Sequence, residues 1–198
     1  MKRFRQHLLI ILLPLLVLSG CGVNNIPTYD EQVKAAWAQV ENQYQRRGDL
    51  IPNLIETVKG YAAQEKDTLL AVTNARSKVG GLQAAGDLIN NPEAMKKFQQ
   101  AQAQLGSALQ RLMVVVERYP DLKSNQNFLA LQSQLEGTEN RIAVARRDYI
   151  GAMQLYNTEI RTFPGRLWHS WLYSDMKIRE DYYEATVENA DKAPEVKF

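Results

Sequence analysis

The chain has 198 residues, enough for one domain, with 45% hydrophobic and 23% charged residues, which is ordinary for a globular protein. Its formal net charge of +2 comes from the first residues: without Lys2, Arg3 and Arg5, 21 of the 24 bases remain against 22 acids. This balance gives no indication of nucleic-acid binding, which requires a basic stripe on the folded domain. The one cysteine, Cys21, excludes an internal disulfide and a cysteine zinc site.

Residues 1–20 have the pattern of a signal peptide. A basic start precedes an apolar run from Leu8 to Leu18, which as a helix reaches about 17 Å, whereas the hydrocarbon core of a bilayer measures about 30 Å. The run is too short to span a membrane but suits a signal-peptide core. It ends in Leu18-Ser19-Gly20-Cys21, which resembles the bacterial lipobox, where a signal peptidase cuts before a cysteine that carries diacylglycerol. We predict Cys21 as the lipid attachment site; an ordinary secretory signal and a short uncleaved anchor are the alternatives.

Residues 21–27 are predicted to form a short lipidated tether. Fully extended, the stretch from Gly22 to Pro27 reaches about 20 Å, which would keep the folded domain close to the bilayer. By resemblance to the sorting rule of Gram-negative lipoproteins, a residue other than Asp after the cysteine, here Gly22, permits outer-membrane delivery. The expected location is the bacterial cell membrane or outer membrane, with the domain facing the periplasm or the exterior.

From Thr28 onward, apolar residues recur at steps of three and four, and no stretch alternates with the period of a strand. This apolar stripe predicts an all-α, up-and-down helical bundle over residues 28–190, followed by a loose tail at 191–198. The stripe comprises Val33, Trp37, Val40, Tyr44, Ile51, Leu54, Val58, Ala62, Leu69, Val72 and Val79, then Met95, Phe98, Gln102, Leu105, Leu109, Leu112 and Val116, and finally Phe128, Leu131, Leu135, Thr138, Ile142, Ala145, Tyr149, Ala152, Tyr156 and Phe163.

Glycine and proline mark the expected helix boundaries. They predict an end at Gly80-Gly81, a start at Asn91-Pro92, a stop and restart at Tyr119-Pro120-Asp121, and an end at Phe163-Pro164-Gly165. One very long helix is therefore expected near 121–163, and a short C-terminal helix around Ser174 to Asn189. The bundle would contain about four long helices plus this short one.

The junction from Gly48 to Pro52 admits two interpretations. It can be a turn, with Asp49 capping a new helix that has Pro52 in its first turn, or a kink, since the apolar rhythm continues through it. We favour the turn, because a straight rod would leave Trp37 and Tyr44 without a helix to cover them.

Several segments resemble the signature of the LemA family. They are residues 46–62 (RRGDLIPNLIETVKGYA), 119–123 (YPDLK), 135–141 (LEGTENR) and 145–149 (ARRDY), with Tyr156-Asn157 and Phe163-Pro164 at the expected distances beyond. The resemblance covers about Val33 to Tyr183. The chain departs from the family pattern at Ile150, and its residues 168–173 are more aromatic than is usual in the family. It implies an antiparallel helical bundle anchored to a membrane by its N-terminus, with no established biochemical activity.

The residues offer little for catalysis. Beyond the signal peptide the chain has one histidine, His169, between Trp168 and Trp171, and it has no His-Glu-x-x-His motif and no Gly-x-Ser-x-Gly elbow. We therefore expect neither an enzyme nor a metal or cofactor.

Two acids stand out in the helical pattern. Glu65 lies on the apolar stripe, and Glu139 lies beside the stripe position Thr138. They could form a buried polar centre that binds a ligand. Alternatively, they form ion pairs with nearby arginines that fix the helix register more than they add stability. The candidate arginines are Arg47, Arg76 and Arg146.

The aromatic segment around Trp168 and Trp171, preceded by Arg166, can lie at a bilayer interface or cap the end of the bundle. A turn at Gly48 would bring this segment back to the tethered end. A single rod over residues 28–82 would place it at the far end.

Three functions follow as hypotheses. The first is a lipid-anchored interaction or scaffold module for a membrane or envelope protein partner. The second is a ligand-binding or regulatory bundle with a polar centre around Glu65 and Glu139. The third is a purely structural envelope lipoprotein.

Overall fold

The apolar stripe folds into helices over most of the chain. The computed structural model describes residues 22–84, 86 and 88–179, and within them we find six helices and no strand. They are α1 (Asn25–Lys59), α2 (Lys66–Ala84), α3 (Pro92–Val116), α4 (Pro120–Lys123), α5 (Gln126–Arg161) and α6 (Gly165–Leu172). The predicted all-α bundle with four long helices is confirmed.

Contacts divide the described chain into two compact units, and the long helices α1 and α5 each contribute residues to both. The first unit combines residues 22–36 with residues 148–179, and the second comprises residues 37–147. In the second unit, Asn125 donates to the hydroxyl of Tyr61 (2.9 Å), and Arg47 donates to Glu139 (2.7 Å). Tyr61 lies just after the end of α1 and Asn125 just before the start of α5, whereas Arg47 and Glu139 lie within the two helices. The end of α1 is therefore beside the start of α5, and the two helices run antiparallel there.

Nearly all of the predicted stripe is buried. Val33, Val40, Leu54 and Phe98 are completely inaccessible to solvent, whereas Leu131 and Ala152 are only half-buried. The prediction is wrong for Phe163, which is 82% exposed, because α5 ends at Arg161 and the chain leaves the helical path before Phe163.

The turn favoured at residues 48–52 is wrong. α1 continues through this segment to Lys59, and the chain turns back over residues 60–65 instead. The aromatic side chains that required cover find it on α3, where the ring of Phe98 meets those of Trp37 and Tyr44 edge-on, at 6.1 and 5.4 Å between centroids. α1 can therefore continue without a turn and still have these two rings covered.

The proline inside α1 removes one helical hydrogen bond. Pro52 has no N–H, so the carbonyl of Gly48, four residues earlier, lacks its usual donor. The Nε–H of Arg76, on α2, donates to this carbonyl at 2.8 Å. A side chain from the neighbouring helix thus replaces the missing backbone donor and lets α1 continue through the proline.

The other predicted boundaries divide into confirmed and wrong ones. The start at Asn91 is confirmed, because its side-chain oxygen accepts from the N–H of Ala94 at 3.0 Å as an N-cap. The restart at Tyr119-Pro120 is also confirmed. The end at Gly80-Gly81 is wrong, since α2 continues to Ala84; both glycines lie on its exposed side, where a helix tolerates them.

The very long helix begins later than predicted and the tether is shorter. Asn125 accepts from the N–H of Phe128 at 3.1 Å, and α5 starts at Gln126 rather than at residue 121. At the start of α1, residues 25–27 are helical rather than extended. Pro27 is tolerated there because the N–H groups of a first helical turn have no helical acceptor. Ile26 is fully buried. Cys21 and residues 1–20, the predicted signal peptide, lie outside the described residues.

A short helix that the sequence did not predict, α6 at Gly165–Leu172, follows α5. The helix predicted around Ser174 to Asn189 does not form over its described part. Residues 174–179 are not helical. They are held by α5 instead: the hydroxyl of Tyr156 donates to the carbonyl of Lys177 (3.0 Å), and Asn157 exchanges two hydrogen bonds with the backbone of Arg179 (2.6 and 2.9 Å). Residues 180–198, including the predicted tail, lie outside the described residues.

The contact between Arg76 and Gly48 gives a test by a double-mutant cycle. Arg76→Met should lower the free energy of unfolding by about 0.5–1 kcal/mol, because the carbonyl of Gly48 loses its donor. In a Pro52→Ala background, which restores the backbone N–H, the same substitution should cost clearly less. Urea unfolding followed by circular dichroism measures both, and equal losses in the two backgrounds would disprove the coupling.

Candidate functional site

A buried arginine joins three helices of the second unit. Arg47, on α1, is only 4% exposed. One terminal nitrogen of its guanidinium donates to Oε1 of Glu139 on α5 at 2.7 Å, and the other donates to Oε1 of Gln102 on α3. One side chain therefore joins three helices, because a buried guanidinium requires acceptors from every side that faces it.

An aromatic ring packs against this guanidinium. Its central carbon lies 5.2 Å from the ring centroid of Tyr44, one turn earlier on α1, which is a cation–π distance. Tyr44 in turn packs edge-on against Phe98 and is 5% exposed. We call Tyr44, Arg47, Gln102 and Glu139 the Arg47 cluster.

A cavity of about 180 Å³ lies beside the Arg47 cluster. It is open to solvent on one side, where the side chain of Glu139 is 48% exposed. Two buried donors among its lining residues have no protein acceptor: Nε of Arg47 and Nε2 of Gln102. The lining residues are Tyr44, Arg47, Gln99, Gln102, Ala103, Gly106, Glu139, Ile142 and Arg146.

The two acids that stood out in the sequence lie in different places. Glu139 belongs to the Arg47 cluster. Glu65 lies beyond the end of α1. Along the axis of that helix, Arg47 is already about 18 Å from the last helical residue, Lys59. Its carboxylate accepts from Arg118 (3.0 Å) and from the hydroxyl of Tyr119 (2.7 Å).

The structure therefore gives two ion-paired sites in place of the single polar centre that the sequence suggested. The hydrogen bond to the carboxylate of Glu65 also raises the pKa of Tyr119. Of the candidate arginines, Arg47 pairs with Glu139, Arg146 lines the cavity, and Arg76 serves the backbone of α1.

Sequence reasoning missed the role of Gln102. It occupies a position of the apolar stripe between Phe98 and Leu105, and it is 5% exposed. An amide at such a position must find hydrogen-bond partners when it is buried, and this requirement was the available signal.

The first unit carries an aromatic end. Phe163, Leu167, Trp171 and Leu172 are 82%, 41%, 72% and 58% exposed. We call these four side chains the α6 patch. Trp168 is half-buried instead and meets the ring of Trp171 edge-on, at 6.4 Å between centroids. Trp168 therefore packs against the protein, and Trp171 faces solvent.

Close backbone contact fixes α6 against the end of α5. A Cβ atom at Gly165 would collide with the carbonyl oxygen and the carboxylate of Glu159, so this position accepts only glycine. His169 adds a hydrogen bond from Nε2 to the carbonyl of Met176 at 2.8 Å.

The start of α1 lies in the same unit as this aromatic end. Nδ2 of Asn25 donates to Oε1 of Glu159 at 3.1 Å, and Arg179 donates to Asp30 at 2.7 Å. Asp30 also pairs with Lys34 at 2.9 Å. Burial raises the pKa of Asp30, but the hydrogen bonds from Arg179 and Lys34 outweigh it, so that this pKa lies below the ordinary value of 3.8.

Among the described residues, every helix is too short or too polar to span a membrane. No group of histidine, cysteine, aspartate or glutamate side chains among them is arranged to hold a metal ion.

Adjacent arginines on α1 provide a matched test of the Arg47 cluster. Arg47→Met should lower the free energy of unfolding by about 1–3 kcal/mol, because Gln102 and Glu139 lose their shared donor in a buried site. Arg46→Met should change it little, since Arg46 is exposed. Chemical denaturation measures both values, and equal losses would contradict the burial of Arg47.

The Asp30 contacts predict a pH dependence of stability. Because folding lowers the pKa of Asp30, its contribution is fully present above the ordinary value of 3.8 and is lost as the pH falls through the lower pKa of the folded state. Asp30→Asn should therefore destabilise the protein near neutral pH by about 1–2 kcal/mol, and by clearly less near pH 3. Denaturant titrations across this range check it; a constant difference at every pH would contradict it.

Comparison with known proteins places the chain in a family. The LemA family model matches residues 36–198. Magnetosome protein MamQ 2 of Paramagnetospirillum magneticum is 28% identical over 180 residues, which cover 81% of this chain and 64% of that protein. Protein LemA of Metamycoplasma hominis is 24% identical over 140 residues, which cover 71% and 60%. The chain thus spans less than two thirds of the length of these relatives.

The family match includes the whole Arg47 cluster, both buried and exposed faces of α5, and the α6 patch. It begins within α1 and extends beyond the described residues. None of these relatives is named for a catalytic activity. The chain belongs to the LemA family.

Proposed function

We propose that this protein is a membrane-anchored interaction module, held at the bilayer by a lipid on Cys21 and docked on its surface by the α6 patch. The bundle then presents its outer face to a membrane or envelope protein partner. The observation that carries the proposal is the α6 patch, an exposed group of large apolar side chains in the same unit as the start of α1.

Chain length supports this arrangement. Only residues 22–24 separate Cys21 from Asn25, the first residue of α1, and four residues reach at most about 14 Å. Asn25 contacts Glu159, and Glu159 in turn contacts Gly165, the first residue of α6. A bilayer that receives the lipid is therefore within reach of the α6 patch.

The side chains in and beside the α6 patch are of the types that favour the surface of a bilayer. Trp171 and Phe163 carry the aromatic rings that favour the region of the lipid headgroups, and Arg166 beside them is exposed and can meet anionic lipid. Leu167 and Leu172 add apolar area that can insert between acyl chains. A helix of eight residues can lie on a membrane but cannot cross it.

Two features support an interaction role over a catalytic one. The polar groups of the second unit are used to join helices, as Arg47 does with Gln102 and Glu139. The relatives from Paramagnetospirillum magneticum are named as magnetosome proteins and not for a catalytic activity.

Vesicle flotation tests the docking surface. A chain that begins at Gly22, which lacks both the lipid and the apolar run from Leu8 to Leu18, should bind vesicles that contain anionic phospholipid. The pair Phe163→Ser and Trp171→Ser should weaken this binding about tenfold, because apolar area leaves the membrane interface. The matched control is the pair Leu70→Ser and Val114→Ser, which removes side chains of similar exposure, 57% and 71%, from the second unit. Equal loss in both pairs, or none, would refute docking by α6.

Cross-linking in living cells extends the same comparison to the partner. The lipidated protein with Phe163→Ser and Trp171→Ser should stay in the membrane fraction. It should give fewer cross-links to its protein partner, because its orientation on the bilayer is no longer fixed. The Leu70→Ser and Val114→Ser protein should cross-link as the wild type does. Failure of the lipidated wild type to cross-link to any discrete envelope protein would contradict the interaction role.

A further inference from the structure

We propose that the α6 patch binds a bilayer through gaps between its lipid headgroups, so that it selects curved, loosely packed membrane over flat, tightly packed membrane. The inference rests on the proposed docking role of the patch and adds the kind of bilayer that the patch prefers. Three properties of the first unit carry it: a balanced charge, large apolar side chains that stand out into solvent, and a backbone that holds them in place.

Charge gives the first argument, because it supplies little attraction to a membrane. Segments that bind anionic lipid electrostatically carry clusters of about four to eight lysines or arginines. In the first unit, the described residues have a formal net charge of zero with histidine neutral, since five bases stand against five acids. These residues are Lys34, Arg161, Arg166, Lys177 and Arg179 against Asp30, Glu31, Asp148, Glu159 and Asp175.

Ion pairs and the following sequence reduce the electrostatic attraction further. Lys34 and Arg179 are both paired with Asp30, at 2.9 and 2.7 Å. Residues 180–198, which continue from Arg179, contain six acids and two bases. Acids are repelled by anionic headgroups, so the affinity for a bilayer must come from apolar contact.

The apolar side chains give the second argument. Phe163 and Trp171 are 82% and 72% exposed, so both rings stand out from the protein surface. Within α6, Arg166 is the one arginine or lysine, and the other polar side chains are His169 and Ser170. A short helix with bulky apolar side chains and few cations gains its membrane affinity from the apolar area that leaves water. Its binding is therefore limited by the space between the headgroups.

The fixed position of α6 gives the third argument. Gly165, in its first turn, is in such close contact with the backbone of Glu159 that a Cβ atom would collide. In its second turn, Nε2 of His169 is hydrogen-bonded to the carbonyl of Met176 at 2.8 Å. Because α6 is held in both turns, it cannot roll to spread its side chains over closed headgroups. The rings therefore need gaps that already exist, which are more frequent where a bilayer is curved or loosely packed.

Vesicle size provides the test. The chain that begins at Gly22 is floated with vesicles about 30 nm and about 200 nm across, of one anionic lipid mixture and at equal outer-leaflet lipid. The binding constant should be at least about fivefold higher for the small vesicles, because their outer leaflet has more gaps. Raising the salt concentration from about 0.05 to about 0.5 M should change binding less than about twofold, since little of the attraction is electrostatic.

Variants assign the size preference to the α6 patch. Phe163→Ser together with Trp171→Ser should remove the difference between small and large vesicles, because the rings that enter the gaps are absent. Arg166→Gln should weaken binding to both sizes by the same factor, since both carry the same headgroup charge. The matched control is again the pair Leu70→Ser and Val114→Ser, which should leave both binding constants unchanged. Circular dichroism checks that each variant is folded.

The outcomes separate this inference from the docking role. Equal binding to both vesicle sizes, if it is lost with Phe163→Ser and Trp171→Ser, would keep docking by α6 and overturn the preference for gaps. Loss of binding at high salt, or a size preference that survives removal of both rings, would overturn the inference too. No binding to any vesicle would refute docking itself and this inference with it. A size preference that requires the two rings and is insensitive to salt is the result we expect.

Discussion

The buried guanidinium of Arg47 is the constraint on which the second unit depends. Moving a charged group out of water costs several kcal/mol, so its acceptors must be in place when the helices pack. Gln102 and Glu139 meet it from two other helices. A slip of one helical turn, about 5.4 Å, would leave the arginine without these partners. It would also separate the ring of Phe98 from those of Trp37 and Tyr44, so the polar and aromatic contacts act together on the register of the helices.

Much of the fold could be predicted because its causes are local. The spacing of apolar residues identified most core positions but missed others, among them Leu122, Met153 and Ile160. The cap at Asn91 could be recognised from Asn followed by Pro. The turn expected at Gly48 failed for a non-local reason. The deciding partners, Phe98 and Arg76, come from other helices, and neither a covering ring nor a replacement donor for a backbone carbonyl can be inferred from a local window.

The site was only partly predictable for the same reason. The pattern identified Glu139 and Arg47 as candidates, but they lie 92 residues apart in sequence, and spacing cannot tell which acid meets which base over such a separation. Glu65 joined Arg118, which had not been considered. The buried amide of Gln102 was visible as a polar residue on the apolar stripe, and the requirement that buried amides be hydrogen-bonded could have marked it as part of the site.

The tight contact at Gly165 has an evolutionary consequence. Because α6 meets α5 through backbone atoms, with no room for even a methyl group, the direction of this helix is set independently of the side chains it displays. Apolar residues such as Leu167 and Leu172 can therefore be exchanged over many generations to match a thinner, thicker or more charged envelope without rebuilding the support beneath them. Among relatives with this contact, we expect rapid drift on the displayed face around a nearly invariant glycine.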